Sequence, residues 1–160
     1  DIHVHGWGRG SFAWRGERRS LQAMSRDLVN AGVTAWLATS ATQPETFLLE
    51  SLSTAADWIA DAKAEDGAEA VGIHMEGPFI NPAYSGMQSK DAIQPPDIEG
   101  FKRYQHAARG NIRLMTLAPE LPGALALIRY LRQSGVTVSA GHTDATFDET
   151  TLAIEAGLTH

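Results

Sequence analysis

The sequence contains no cysteine. That excludes a disulfide framework and any thiolate metal site, and it fits a reducing compartment, read here as cytoplasmic. Long apolar runs are missing too. None is long enough to span a bilayer, and no signal-peptide pattern is visible, so no membrane partner is expected. There is no surplus of positive charge: 13 Lys and Arg stand against 19 Asp and Glu, for a formal charge of -6. With a pI near 5.4, the chain carries no electrostatic footprint for nucleic acid. Two small basic groups, Arg15, Arg18 and Arg19, then Lys102, Arg103 and Arg109, read as solvated helix faces. The glycine-rich stretch Gly6-Trp7-Gly8-Arg9-Gly10 lacks the Gly-Lys-Ser/Thr ending of a phosphate loop and reads as a flexible connection.

What is present is an alternation of short apolar runs with amphipathic stretches. Ile2 to His5, Thr34 to Thr39, Ala70 to His74, Ile112 to Leu117 and Val136 to Ala140 read as strands. Between them fall helical patterns. One is capped by Ser20 and carries Leu21, Met24 and Leu28. The next starts at Pro44 and carries Leu48, Leu52, Ala55 and Ile59. A third is capped by Asp97, a fourth starts at Pro122, and a last one follows the Thr146/Glu149 capping box. The loop from Gly77 to Pro96 is long for a strand-to-helix connection, which favours a functional role. Strict alternation predicts a parallel sheet covered by helices: either an open doubly wound sheet or the first five βα units of a (β/α)8 barrel. A whole barrel takes about 250 residues. The chain opens on Asp1 inside a strand-like motif and stops at Thr159-His160 where another strand would begin. We therefore expect residues 1–160 to be one part of a longer barrel, cut at both ends.

The chemistry lies at the carboxyl ends of these strands. His3 and His5 are two apart, so on a strand both imidazoles face one way and can share a divalent ion. The alternative is one packed and one wet histidine. Glu76 follows an apolar strand and precedes the Gly77-Pro78 break, and His142 stands between Gly141 and Thr143 at an equivalent place. Singly, each has a structural explanation. Together, His3, His5, Glu76 and His142 fall on the catalytic face of either architecture. A set of nitrogen and oxygen donors without sulfur suits zinc first, with iron, manganese or cobalt also acceptable. Such an ion lowers the pKa of a water and polarises a carbonyl, which points to hydrolysis of an amide or ester-like bond. His74, on the same side of its strand as Glu76, is either a general base or a donor that orients Glu76.

Asp1-Ile2-His3-Val4-His5-Gly6 resembles the first-strand signature of the amidohydrolase superfamily. His74-Met75-Glu76-Gly77-Pro78-Phe79-Ile80-Asn81-Pro82, Thr116-Leu117-Ala118-Pro119-Glu120 and Gly141-His142-Thr143 resemble the N-acetylglucosamine-6-phosphate deacetylase family, in the right order along the whole chain. The resemblance implies a (β/α)8 barrel and removal of acetate from the nitrogen of an amino-sugar phosphate. It implies Glu76 and His142 as metal ligands, with the His3/His5 pair leaving room for one ion or two. It implies His74 and Gly77 near the substrate, and a homodimer for the full-length protein. Thr159-His160 matches either the first or the second Thr-His of the family's sixth-strand run. If it is the second, His160 is the ligand; if it is the first, which we expect, the ligand lies just beyond the end of this chain. The family's catalytic aspartate has no counterpart here, so the base is expected outside the chain and the chain alone is expected to be inactive. The absence of lysine on the fourth strand favours the deacetylase branch over amidohydrolases that use a modified lysine. The alternatives are another amidohydrolase, acting on a different amino sugar or a cyclic amide, or a binding domain of the α/β class with structural histidines.

Overall fold

The computed structural model describes residues 1–13 and 16–160. Arg15, the first of the basic residues named above, lies outside them. Four strands, β3 (Ala35–Ser40), β4 (Glu69–Glu76), β5 (Ile112–Leu117) and β6 (Thr137–Ala140), form a parallel sheet in the order β3-β4-β5-β6. Each new strand pairs with its immediate predecessor, and no reversal of strand order occurs among the described residues. Helices α1 (Arg18–Val29), α2 (Glu45–Asp61), α3 (Ile98–Ala107), α4 (Ala124–Gln133) and α5 (Phe147–Ala156) complete the alternation.

The expected first strand is reduced. Residues 1–5 run beside β3 through one parallel bridge, Val4 to Ala38. The cause is local: the Val4 amide donates to the Thr39 side-chain oxygen at 2.8 Å, so the ladder is not regular there. The Asp1 backbone nitrogen donates to the Ala35 carbonyl at 2.7 Å and holds the segment in line. The glycine-rich stretch is no loose loop but a small antiparallel hairpin, β1 (Gly6–Trp7) with β2 (Gly10–Ser11).

Several element ends differ from expectation. Helix α1 starts before Ser20, because the Glu17 carbonyl already accepts from the Ser20 and Leu21 amides. Pro44 is the residue before α2 rather than its first. Helix α4 starts two residues after Pro122, with Gly123 in the left-handed region at its N-cap. Asp97 caps α3, and Thr146 with Glu149 forms the expected capping box on α5.

The core lies between the sheet and helices α1 to α4. Leu21, Met24 and Leu28 of α1, Leu48 and Leu52 of α2, and Leu127, Ile128 and Leu131 of α4 are buried against Trp36, Ile73, Met115 and Val138 of the strands. Trp36 is fully buried, and its indole N–H donates to Ser25 Oγ at 3.3 Å and the Ala68 carbonyl at 3.2 Å, so its polar atom is satisfied. The described members of the two basic groups named above are paired with acids: Arg18 with Asp61, Arg19 with Glu17, Lys102 with Glu99, Arg103 with Glu45 and Arg109 with Asp57. With the helices packed on one side, the sheet presents its carboxyl ends to a common rim, and the expected functional residues gather there.

Candidate metal centre

Glu76 is the last residue of β4 and only 5 % exposed. A carboxylate so buried must be paired, and its partners come from both ends of the chain. His3 Nε2 stands 3.2 Å from Glu76 Oε1, His5 Nε2 3.1 Å from Oε2, and His142 Nε2 3.4 Å from Oε1. His3 and His5 approach each other at 3.2 Å through their own Nε2 atoms. Of the sequence-predicted quartet, His3, His5 and Glu76 place their ligand atoms within 4.8 Å of one another, and His142 joins them through Glu76 Oε1.

The other ring nitrogens decide what the cluster is for. His5 Nδ1 lies 3.1 Å from the Thr39 carbonyl, and His142 Nδ1 lies 2.8 Å from the Tyr84 carbonyl. A carbonyl only accepts, so each Nδ1 must carry a proton. In the neutral rings Nε2 then presents a lone pair to an anionic carboxylate, an arrangement that repels unless a cation lies between or the rings are protonated. Two donors on a tetrahedral ion at ~2.0–2.1 Å are about 3.3 Å apart, which matches these separations. Nitrogen and oxygen donors with backbone carbonyls behind the imidazoles suit a divalent ion, so the residues present fit the group.

Without an ion, charge balance falls to the histidines. The hydrogen bond to Glu76 raises His5 against the opposing effect of its burial. Burial pushes Glu76 up, but the hydrogen bond from His5 and the charges of His5, His3 and His142 outweigh it and bring the carboxyl down to about 2.

His74 does not meet Glu76 through a hydrogen bond. Its Nδ1 faces the Ile2 carbonyl at 3.0 Å and its Nε2 the Thr116 hydroxyl at 2.8 Å. Burial, with the nearby His3 charge, lowers it to about 4, so it stays neutral. With both nitrogens engaged it is poorly placed as a general base. It packs edge-on against the His3 ring, 4.7 Å between centroids, and backs that imidazole instead. Gly77 is held by its amide to the Thr116 carbonyl at 3.0 Å and has a φ of 74°. A Cβ there would lie 2.1 Å from Thr42 Oγ1, so only glycine fits. His160 is not drawn in. Its backbone pairs with β6 (Ala140 N–H to His160 O, 2.9 Å), and its imidazole meets the hydroxyl of Thr159.

The long loop after β4 supplies what the strand pattern alone does not reveal. Gln88 donates to Glu76 Oε2 and accepts from the Thr42 amide, fixing the carboxylate from behind. Tyr84 gives its carbonyl to His142. The loop is pinned by Gln94 N–H to Pro78 O at 3.0 Å and by Tyr104 OH to Gln94 at 3.0 Å. Loop length was the one signal in the sequence for these residues; a single glutamine among polar neighbours gives no pattern.

No family model matches the chain. Over all of its length it is 40% identical to the N-acetylglucosamine-6-phosphate deacetylase of Bacillus subtilis (strain 168), covering 40% of that protein. Over 98% of its length it is 31% identical to the N-acetylgalactosamine-6-phosphate deacetylase of Escherichia coli O157:H7, covering 41% of it. It superposes with a TM-score of 0.84 and 32% identity on the Mycobacterium smegmatis N-acetyl-D-glucosamine-6-phosphate deacetylase solved in complex with N-acetyl-D-glucosamine-6-phosphate, covering 99% of this chain and 40% of that one. On sequence and fold together, the chain is similar along nearly its whole length to N-acetylglucosamine-6-phosphate deacetylases and spans about 40% of the length of the curated relatives it matches.

Proposed function

We propose that residues 1–160 form part of a (β/α)8 barrel and carry much of the metal centre of a deacetylase. The reaction is hydrolysis of N-acetylglucosamine 6-phosphate to glucosamine 6-phosphate and acetate, in amino-sugar breakdown. The observation that carries the reading is the convergence of three imidazole Nε2 atoms on the two oxygens of buried Glu76. Strands that pair in sequence order support the barrel, since a doubly wound sheet needs a reversal.

In this reading His3, His5, Glu76 and His142 hold a divalent ion, zinc first, with iron, manganese or cobalt as alternatives; two oxygens on Glu76 leave room for one ion or two. Bound there, such an ion lowers the pKa of a water to near ~7 and polarises the amide carbonyl. The chain's own residues prepare the centre. Glu76 supplies buried negative charge, Gln88 fixes its orientation, and the Thr39 and Tyr84 carbonyls set the tautomers of His5 and His142. His74 stays neutral behind His3, which keeps that ligand free of a competing charge. The acid and base that move protons to the leaving amine belong to segments beyond these residues. Sugar phosphates, as anions, do not cross bilayers unaided, which suits a cytoplasmic location. A homodimer belongs to the same reading.

The test is acetate release from N-acetylglucosamine 6-phosphate by the full-length protein, with and without chelator. Activity lost on chelation and restored by zinc is the expected result; full activity in chelator would refute it. A second reading, the galactosamine epimer as substrate, is favoured by the likeness to the Escherichia coli enzyme of that name. Comparing kcat/KM for the two epimers decides between them.

A further inference from the structure

Of the proposed ligands, His142 has the least regular support. Strand β6 ends at Ala140, two residues earlier, and His142 itself has a φ of 52°, in the left-handed region that non-glycine residues avoid. Something other than a strand must keep its imidazole aimed at Glu76. Three loops meet around it, and one carboxylate ties them. Glu120, just after β5, accepts from Asn81 Nδ2 at 3.0 Å, from the Asp144 amide at 2.8 Å and from the Thr143 hydroxyl. Asn81 belongs to the loop after β4, and Thr143 and Asp144 immediately follow His142. The same two loops are cross-linked on either side of it. The Asn81 amide donates to the His142 carbonyl at 2.9 Å, and the Tyr84 hydroxyl donates to Asp144 at 2.6 Å. Glu120 has no direct contact with Glu76, His3 or His5 among the hydrogen bonds and ion pairs of the described residues.

We infer that Glu120 is a positioning residue: a carboxylate latch that holds the β6–α5 loop against the β4–α3 loop and so keeps His142 in ligand geometry. All three partners donate to the carboxylate, Asn81 and Asp144 to Oε1 and the Thr143 hydroxyl to Oε2, and bonds to a charged acceptor are the stronger kind. A glutamine has the same shape but loses that charge, and its amide nitrogen either faces the Asn81 and Asp144 donors or makes the Thr143 hydroxyl turn to accept. The inference rests on the metal-centre reading, and the experiment separates the two.

Zinc affinity is measured by chelator competition on the full chain, and the ligand field by the visible spectrum of the cobalt(II) form. The variants are Glu120→Gln, Thr143→Val, His142→Ala and the double variant Glu120→Gln/His142→Ala. Loss of contacts behind a ligand costs about 10–100-fold in metal affinity. Glu120→Gln is expected to lose that much and to shift the cobalt spectrum toward that of His142→Ala. Thr143→Val, which removes one donor without burying a charge, should move both readouts the same way by less. In the His142→Ala background, Glu120→Gln should add little. An unchanged affinity and spectrum in Glu120→Gln overturns the latch while leaving the metal centre intact. An equal loss in both backgrounds also overturns it, since Glu120 would then act on the fold rather than on His142. If Glu120→Gln does not fold, Thr143→Val alone decides. A parent chain that binds no zinc overturns the metal centre and the latch with it.

Discussion

At the scale of single residues, Glu76 is the hub. Its two oxygens are shared by three imidazoles and one amide. Replacing it with alanine removes the only carboxylate in the cluster. Glu76→Ala is expected to lower zinc affinity by more than the ~100-fold seen when outer contacts are lost, read by metal content after dialysis. Retained zinc would remove Glu76 from the ligand set. The cluster also fixes a pH dependence. In the metal-free chain His5 is held above the ordinary 6.5 by its bond to Glu76. A raised histidine contributes stability that is whole below its unfolded value and is lost as pH rises through the folded value. His74, lowered by burial, is neutral in both states above that pH and adds nothing there. The metal-free denaturation midpoint should therefore fall as pH rises above ~6.5, whereas the zinc-saturated midpoint should not, because zinc needs neutral imidazoles. Urea titrations at several pH values check this. His3 and His5 were legible because residues two apart on an extended segment face one side, and Glu76 and His142 because each stands beside a glycine at the end of an apolar run. The roles of Gln88, Tyr84 and Glu120 were not, because they depend on how three separate loops meet.

At the scale of elements, the helical stripes and the strand centres were readable, and the ends were not. Apolar spacing marks the buried face of α1 or α2 whatever the cap. The ends depend on which carbonyl first accepts a helical hydrogen bond, as at Glu17, and on turns such as Pro122-Gly123. Periodicity also missed that a side chain, Thr39, interrupts the pairing of residues 1–5 with β3. The division of labour between core and rim is testable. Leu52 is fully buried in α2 and lies outside the candidate centre. Leu52→Ala should cost about 2–5 kcal/mol of stability by the cavity it leaves. Zinc affinity of the folded variant should stay within about twofold, since mutations well apart act independently. A large loss of affinity in folded protein would show that the rim is not insulated from α2.

At the scale of the whole molecule, the candidate centre brings together segments far apart in sequence, around residues 3–5, 76 and 142. Zinc bound only by the folded form at ~1,000 times its Kd should add about 4 kcal/mol to stability, measured as the shift in denaturant midpoint. On the proposed reading, the 160-residue chain should bind zinc yet release no acetate from N-acetylglucosamine 6-phosphate, because that reading puts the base in another segment. Turnover by that chain alone would mean the base lies within it.

The strand order has one more consequence, for synthesis. Because β3, β4, β5 and β6 pair strictly in the order in which they are made, each can dock as it leaves the ribosome, with no vacancy held open for a later strand. Closing such short-range contacts costs little chain entropy and favours rapid, stepwise growth of the sheet. His142, by contrast, is made only after His3, His5 and Glu76. A nascent chain stalled before β6 should already protect the β3–β4 amides from exchange while binding zinc weakly, and tight binding should appear only when the β6–α5 loop is in place.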